Sequence, residues 1–327
     1  MAKILGLGNA LVDVLISIDN DDILKELKLP RGSMQLVDEH FLSRATTLTK
    51  SLKQNIAAGG SAANTINGIA NLGIPCSFIG KISKDQFGEY YREDMIKSGI
   101  DPILLIGKAQ TGRVTVFISK DSERTFGTYL GAAVEMIPDE LRPELFDGYD
   151  YFHIEGYLVQ NHELIRKAMQ TAHQKGIKVS LDLASYNVVE ANRDFLKEMT
   201  GKYVDILFAN EEEAKAFTGN SPEESLHELA SMVEIAVVKL GAKGSFIQRG
   251  SEIERVGVIK ANSVDTTGAG DLYAAGFLGG LVKELPLKKC GQLGALLSGK
   301  VIEVVGPRMG EGTWREINRQ VKAIENE

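Results

Sequence analysis

Along most of the chain, short apolar runs alternate with longer stretches whose apolar positions recur every three or four residues. The first pattern fits buried strands and the second amphipathic helices. Strands are predicted at 4–7, 76–80, 151–154, 178–183, 206–209, 235–239 and 245–248, and helices at 62–72, 85–98, 161–174, 192–199, 211–217, 221–232, 270–281 and 287–301. Parallel strands need a crossover, usually a helix, so this β-α rhythm, expected to run through the whole second half, implies an α/β fold with a mostly parallel central sheet flanked by helices. Two regions break the rhythm. Residues 15–37 and 111–130 alternate as strands do, for example Arg113-Val114-Thr115-Val116-Phe117-Ile118, and the second is interrupted by the polar turn Lys120-Asp121-Ser122-Glu123. A hairpin cannot continue a helix-covered parallel sheet. Segments 15–37 and 111–130 are therefore expected to form a small antiparallel β lid, inserted into a large domain made of 1–14, 38–110 and 131–327.

Composition narrows the function classes. A chain of 327 residues, 43% of them hydrophobic, buries enough surface to fold without a metal or disulfide staple. With 37 Lys+Arg against 44 Asp+Glu the net charge is -7, which argues against nucleic-acid and anionic-membrane partners. Cys76 and Cys290 show no CxxC spacing and no partnering histidine, so they read as buried free thiols suited to a reducing cytoplasm. The N-terminal residues lack the apolar core of a signal peptide, and no apolar stretch of about 18 residues occurs, so a cytoplasmic location is expected. The histidines form no HxH or HExxH arrangement, and neither a G-x-S-x-G elbow nor a GxxxxGK[ST] loop is present. At the end of strand 4–7, Gly6-Leu7-Gly8 begins a dinucleotide fingerprint, but Leu11 stands where the third glycine belongs and no acidic residue ends a second strand about twenty residues on. A dehydrogenase therefore lacks its residues.

The strongest chemical signal is Asp265-Thr266-Thr267-Gly268-Ala269-Gly270-Asp271, followed at once by the apolar helical run Leu272-Tyr273-Ala274-Ala275-Gly276-Phe277. Small residues at a helix mouth let a ligand reach free backbone N–H groups, and the helix dipole favours negative charge there. An anion hole at Gly268, Ala269 and Gly270 is the expected product. Asp271, in the first turn, is placed to take a proton from a nucleophile attacking the bound anion, or merely to complement the dipole.

This segment resembles the signature of the ribokinase family, the PfkB-type carbohydrate and nucleoside kinases. Three further motifs match in family order: Ala58-Gly59-Gly60-Ser61-Ala62-Ala63-Asn64 is similar to the glycine-rich substrate motif, Asn210-Glu211-Glu212-Glu213 to the N-x-x-E element, and Val238-Lys239-Leu240-Gly241-Ala242-Lys243-Gly244 to the nucleotide loop. The resemblance implies a ribokinase-like fold and an ATP- and Mg²⁺-dependent kinase, with Asp271 as general base and Gly268, Ala269 and Gly270 as the anion hole. Asn210, Lys239, Gly241, Gly244, Ala295 and Ser298 would then face ATP, and Glu213 would hold Mg²⁺ through water. Asp265 and Thr267 would be placed to hold K⁺. The competing reading of Asn210 and Glu213, an N-cap with an acidic first turn, is compatible with this role.

The finer resemblance is to the adenosine-kinase subgroup, on Asn9-Ala10-Leu11-Val12-Asp13, on Gln35 as a base-contacting glutamine, and on Gly59, Gly60, Ser61 and Asn64. Arg124 resembles a lid arginine that reaches the transferred phosphate. An adenosine-like nucleoside, phosphorylated on its primary hydroxyl, is thus the implied acceptor, with a free sugar of the ribose or fructose type as the alternative. One departure bears on the base: where the subgroup has two aromatics after a glycine, Gly156 is followed by Tyr157 and Leu158. A sensor without enzymatic activity would not need Asp271 or an intact anion hole. The expected partners are small molecules, and the lid edges suit either a monomer or a lid-paired homodimer.

Overall fold

The computed structural model of the chain describes residues 2–121 and 123–326, so Ser122 of the predicted polar turn lies outside the described residues. Their strands, in chain order, are β1 (Ile4–Leu7), β2 (Leu11–Ser17), β3 (Met34–Leu36), β4 (Gln54–Gly59), β5 (Cys76–Ile82), β6 (Asp101–Ile106) and β7 (Gly112–Ile118). There follow β8 (Arg124–Tyr129), β9 (Tyr151–Glu155), β10 (Lys178–Asp182), β11 (Ile206–Asn210), β12 (Ile235–Lys239), β13 (Ser245–Arg249) and β14 (Glu252–Val256). The large sheet has the order β14-β13-β12-β11-β10-β9-β1-β5-β6. It is parallel from β12 to β6, with β13 and β14 added antiparallel at one edge. The β-α alternation expected for the whole second half therefore stops at β12. Only Leu240 to Gly244 separate β12 from β13, too few residues for a crossover, so the chain must turn straight back.

The central strands read as continuous apolar runs because both of their faces are buried. Ile4, Phe78, Phe208 and Val237 face a core made with helices Ser61–Asn71, Ala269–Val282, Leu287–Val301 and Glu311–Asn326. Their neighbours Leu5, Ile79, Leu207 and Ala236 face a second core under helices His162–Gln174, Arg193–Tyr203, Glu211–Thr218 and Pro222–Ala230. No helix among the described residues is long and apolar enough to cross a membrane.

The second sheet, in the order β3-β8-β7-β2-β4, contains the segments expected to form the lid, and that name is kept for it. Its β2/β4 and β7/β8 pairs are antiparallel, and its β2/β7 and β3/β8 pairs are parallel. β4 belongs to this sheet although it lies within the 38–110 stretch assigned to the large domain from sequence. Helix Glu39–Leu48, also in that stretch, packs through Phe41 and Ala45 on the outer face of the lid, with Val14, Ile16, Leu24 and Phe117. The opposite face carries Asp13 and, through the register Val116↔Phe126 and Ile118↔Arg124, Phe126 and Arg124.

Helix Ser61–Asn71 and helix Ala269–Val282 approach closely where Gly68 has no side chain: a Cβ there would lie 2.6 Å from Ala275 Cβ and 2.9 Å from Leu272 Cδ1. Gly68→Val is expected to lower stability by about 1–3 kcal/mol through overpacking. Gly312→Ala, where a Cβ meets nothing closer than 4.0 Å, serves as the control and is expected to stay within about 1 kcal/mol of the parent. Urea unfolding midpoints check both, and equal midpoints for the two variants would show that the helices do not depend on the gap at Gly68.

Candidate active site

Four neighbouring strands of the large sheet end on polar residues: β9 on Glu155, β10 on Asp182, β11 on Asn210 and β12 on Lys239. Ligands of open parallel sheets gather at such carboxyl ends. Beside this row opens the mouth of helix Ala269–Val282. Its cap, Gly268, has φ +78°, and a Cβ there would lie 2.6 Å from Pro307 Cβ. The Ala269 N–H donates to the Thr266 carbonyl (3.1 Å) and closes the turn, so of the predicted anion-hole trio Gly268 and Gly270 keep their N–H groups free of backbone partners among the described residues. A Cβ on Gly270 would come within 3.2 Å of Lys239 Nζ, which puts the ammonium at the helix mouth.

Asp271 is gripped from the facing helix. Ser61 Oγ donates to its Oδ1 (2.7 Å), Asn64 Nδ2 to its Oδ2 (2.9 Å), and Thr65 Oγ1 to its carbonyl (3.1 Å). That helix starts at Gly60, whose φ of +101° and contact with the Asn9 carbonyl leave no room for a side chain. Burial pushes the Asp271 carboxyl up to about 6, against the lowering effect of the hydrogen bonds from Asn64 and Ser61.

Around Lys239 the carboxylates outnumber the cation. Lys239 Nζ lies 2.7 Å from Asp182 Oδ2. Burial would lower this ammonium, but Asp182 and Glu213 outweigh it and hold the group above its usual range. Glu213 is nearly inaccessible and forms a capping box: its Oε2 accepts from Asn210 N (2.7 Å), its Oε1 from Asn210 Nδ2 (2.6 Å), and its own N–H donates to Asn210 Oδ1 (2.8 Å). Burial pushes its carboxyl up to about 7 although Lys239 lowers it. Mg²⁺ fits this surplus of anionic oxygen, and because both Glu213 oxygens are engaged by Asn210, contact through water suits it better than direct ligation.

Asn210, Glu213, Lys239, Gly241, Gly244, Ala295 and Ser298 all line one cavity of about 730 Å³, and Ser61 and Gly268 to Asp271 line it as well. Asn9, Asp13, Gly59, Gly60 and Asn64 gather where the lid meets β1. The Asp13 carboxylate packs against Gly59, 2.7 Å from where a Cβ would stand. Asn9 is fixed by Glu155, which accepts from its N–H (3.0 Å) and Nδ2 (2.7 Å) and from Ala62 N (2.9 Å). Asn9 Oδ1 and Asn64 Oδ1 remain buried acceptors without a partner among the described residues.

Two sequence expectations are corrected, on Gln35 and on K⁺. Gln35 pairs in register with Gly127, on the face where a Cβ of Gly127 would strike the Phe41 ring, so it points away from the cleft. The alternation of a strand instead turns Met34 and Leu36 to the side of Phe126. Leu158 is 6% exposed and packs in the core, leaving Tyr157 to line the cavity. The oxygens assigned to K⁺ are already taken: Arg124 Nη2 lies 2.7 Å from Asp265 Oδ2 and its Nη1 donates to Thr267 Oγ1 (3.2 Å). Asp265 accepts as well from Thr267 N (3.1 Å), Thr267 Oγ1 (2.8 Å) and Gly306 N (2.6 Å), which fills its lone pairs. These side chains do not fit a monovalent cation while the lid arginine holds them.

Glu155 and Asp182 escaped sequence reasoning, although both are visible as acidic residues closing apolar strand runs, YFHIE and KVSLD. Met34 and Leu36 were hidden because the phase of a three-residue strand cannot be fixed without its neighbour.

Among solved structures, the adenosine kinase of Sinorhizobium meliloti is 35% identical, with a TM-score of 0.86 over 98% of this chain and 99% of that one. A probable sugar kinase from Rhizobium etli CFN 42 is 33% identical, with a TM-score of 0.86 over 98% of each chain. An adenosine kinase of Schizophyllum commune is 26% identical over 335 residues, covering 94% of this chain and 96% of that protein. Residues 34–313 match the pfkB family carbohydrate kinase. The cleft between lid and sheet, with its small-residue helix mouth and gripped carboxylate, thus belongs to a member of the pfkB family of carbohydrate kinases, a phosphotransferase that acts on an alcohol group.

Proposed function

We propose that this kinase transfers the γ-phosphoryl group of ATP to the primary hydroxyl of an adenosine-like nucleoside, with Asp271 as general base. The observation that carries the reading is the grip of Ser61 and Asn64 on Asp271 at the mouth of a helix whose Gly268 and Gly270 leave backbone N–H groups available. Phosphoryl transfer needs alignment, charge neutralisation and a base more than covalent help. In this reading the acceptor oxygen forms its bond to the γ-phosphorus, its proton passes to an Asp271 oxygen, and the bond to the β-phosphate oxygen breaks to release ADP. Gly268 N–H, Gly270 N–H and the Lys239 ammonium receive the charge on the moving phosphoryl group. Mg²⁺, when bound, supplies further neutralisation of the phosphates, and Glu213 with Asp182 would hold it through water.

Asp13, Asn9 and Asn64 supply a carboxylate and two unpartnered carboxamide oxygens for sugar hydroxyls. Met34 and Leu36, 55% and 61% exposed on the same lid face as Phe126, give a planar base an apolar surface to cover, which favours the nucleoside. A free sugar is the second reading. The burial of Leu158 supports it, because Tyr157 alone remains of the expected aromatic pair.

Asp271→Asn is expected to lower kcat by about 10² to 10⁴ while ATP affinity, measured by calorimetry, changes little. Undiminished turnover would remove the base assignment. Because a base acts only when ionised and burial sets the Asp271 carboxyl near 6, kcat should be flat above that pH and fall about tenfold per unit below it. A pH profile with no acidic limb would contradict this. Asp13→Ala should raise the acceptor KM by at least about tenfold while leaving the ATP KM nearly unchanged, and equal effects on both would exclude Asp13 from the acceptor side. ATP consumption with adenosine, other nucleosides, ribose, fructose and sugar phosphates tests the acceptor. Turnover of adenosine above ribose is expected, and acceptance of a sugar phosphate alone would overturn the nucleoside reading.

A further inference from the structure

Arg308 lies in the turn between helices Leu287–Val301 and Glu311–Asn326, with its side chain 19% exposed. Its Nε donates to the Ala58 carbonyl of β4 (3.0 Å), next to Gly59, against which the Asp13 carboxylate packs. Its Nη2 is 3.5 Å from Asp94 Oδ2, and neither Nη1 nor Nη2, both buried, has a hydrogen-bond partner among the described residues. A buried guanidinium with two idle donor groups is costly unless carboxylates lie close by. Nothing in the phosphoryl chemistry described above uses it. The same turn reaches the anion hole, since Gly306 N donates to Asp265 Oδ2 (2.6 Å) and Pro307 packs on Gly268.

We propose that Arg308 is a positioning residue for the acceptor, its guanidinium anchored on the Ala58 carbonyl to set a counter-charge beside the Asp13 carboxylate that packs against Gly59. The inference rests on the reading of Asp13 as the group that accepts hydrogen bonds from the acceptor hydroxyls. The charges facing Asp13 are Arg308 from the C-terminal turn, Arg124 from β8 and Asp271 from the facing helix mouth. Helix Gln86–Lys97 adds Asp94 beside Arg308, and Tyr91, which burial holds well above its usual range and therefore neutral. Arg124 is already engaged by Asp265 and Thr267. Loss of solvation pushes the Asp13 carboxyl up to about 7, with Arg308 the largest opposing influence and Arg124 the next. The carboxylate is ionised above that pH, so removal of Arg308 moves the threshold up and weakens acceptor binding most at neutral pH.

The test measures acceptor KM for Arg308→Gln, Arg308→Lys, Asp94→Asn and Asp13→Asn, with adenosine, or with ribose if the acceptor screen selects the free sugar. Arg308→Gln is expected to raise acceptor KM about tenfold near pH 7.5 and to return within about threefold of the parent near pH 9.5, while Arg308→Lys stays within about threefold throughout. Asp94→Asn leaves the guanidinium to Asp13 and should move the acidic limb of acceptor binding to lower pH. It keeps the inference testable should Arg308→Gln fail to fold. An unchanged KM in Arg308→Gln, a rise of the same size at both pH values, or a limb that does not move in Asp94→Asn would each overturn the role of Arg308. Asp13→Asn separates the two readings: if it raises acceptor KM and the Arg308 variants do not, only the positioning role fails, whereas an unchanged KM in Asp13→Asn removes Asp13 from the acceptor site and the role of Arg308 with it.

Discussion

The site depends on how closely two helices can bring their N-termini together. Helix Ser61–Asn71 and helix Ala269–Val282 both begin on a glycine in a left-handed or otherwise positive-φ conformation, and they touch where Gly68 meets Ala275. The positive ends of both dipoles fall beside the Asp271 carboxylate, and Ser61 and Asn64 reach its two oxygens. Burial works in the other direction by disfavouring the charged form. The two effects leave a carboxyl near 6, basic enough to take a proton and still ionised at neutral pH. A larger residue at position 68 would press the two helices apart, so one missing side chain seven residues from Ser61 bears on the geometry around the proposed base.

The buried acids of the cleft fall into two groups by how their lone pairs are used. Glu155 is filled by three donors from Asn9 and Ala62, and Asp265 by Arg124, Thr267 and Gly306. These groups hold loops and helix ends in place, and their geometry is complete without any ligand. Asp13 accepts no side-chain hydrogen bond among the described residues, and each Asp271 oxygen accepts one. Open lone pairs on a desolvated carboxylate cost stability unless something else completes them. The acids with proposed roles toward a hydroxyl are therefore among those the fold leaves incomplete, together with Glu213 and Asp182 in their proposed Mg²⁺ role and the carboxamide oxygens of Asn9 and Asn64.

The large sheet was readable in advance because its strands are buried on both faces and separated by amphipathic helices, so apolar runs such as Ile235–Lys239 carried their own signal. β6 and β14 were missed because edge strands are only partly buried, and β4 because its first three residues are exposed. The helix mouth at 268–271 was legible from small residues set between two acids and followed at once by an apolar helical run. Partners distant in sequence were not legible. Arg124 could be placed on the lid, but its engagement by Asp265 depends on the lid's angle to the sheet, which no local pattern encodes. Gln35, assigned to the base by resemblance alone, falls on the outer face of β3, and in a strand one residue reverses the face.

The lid is fastened to the sheet domain by a pair in which both side chains are almost out of solvent, Arg124 at 12% and Asp265 at 6% exposure. Such a pair gives little net stability against an apolar replacement, but separating its members leaves a desolvated charge on each side. Because Asp265 also holds the Thr267 N–H and the Gly306 N–H, the lid contact falls on the loop that shapes the proposed anion hole. Lid position and anion-hole shape are then not independent variables. A lid that lifts takes the guanidinium from Asp265 and Thr267, and the loop before Gly268 loses its most strongly charged contact at the moment the cleft opens to water. In a phosphotransferase this ordering is useful, because the turn proposed to bind the phosphoryl group would be fully braced only when solvent is excluded from the transferring group.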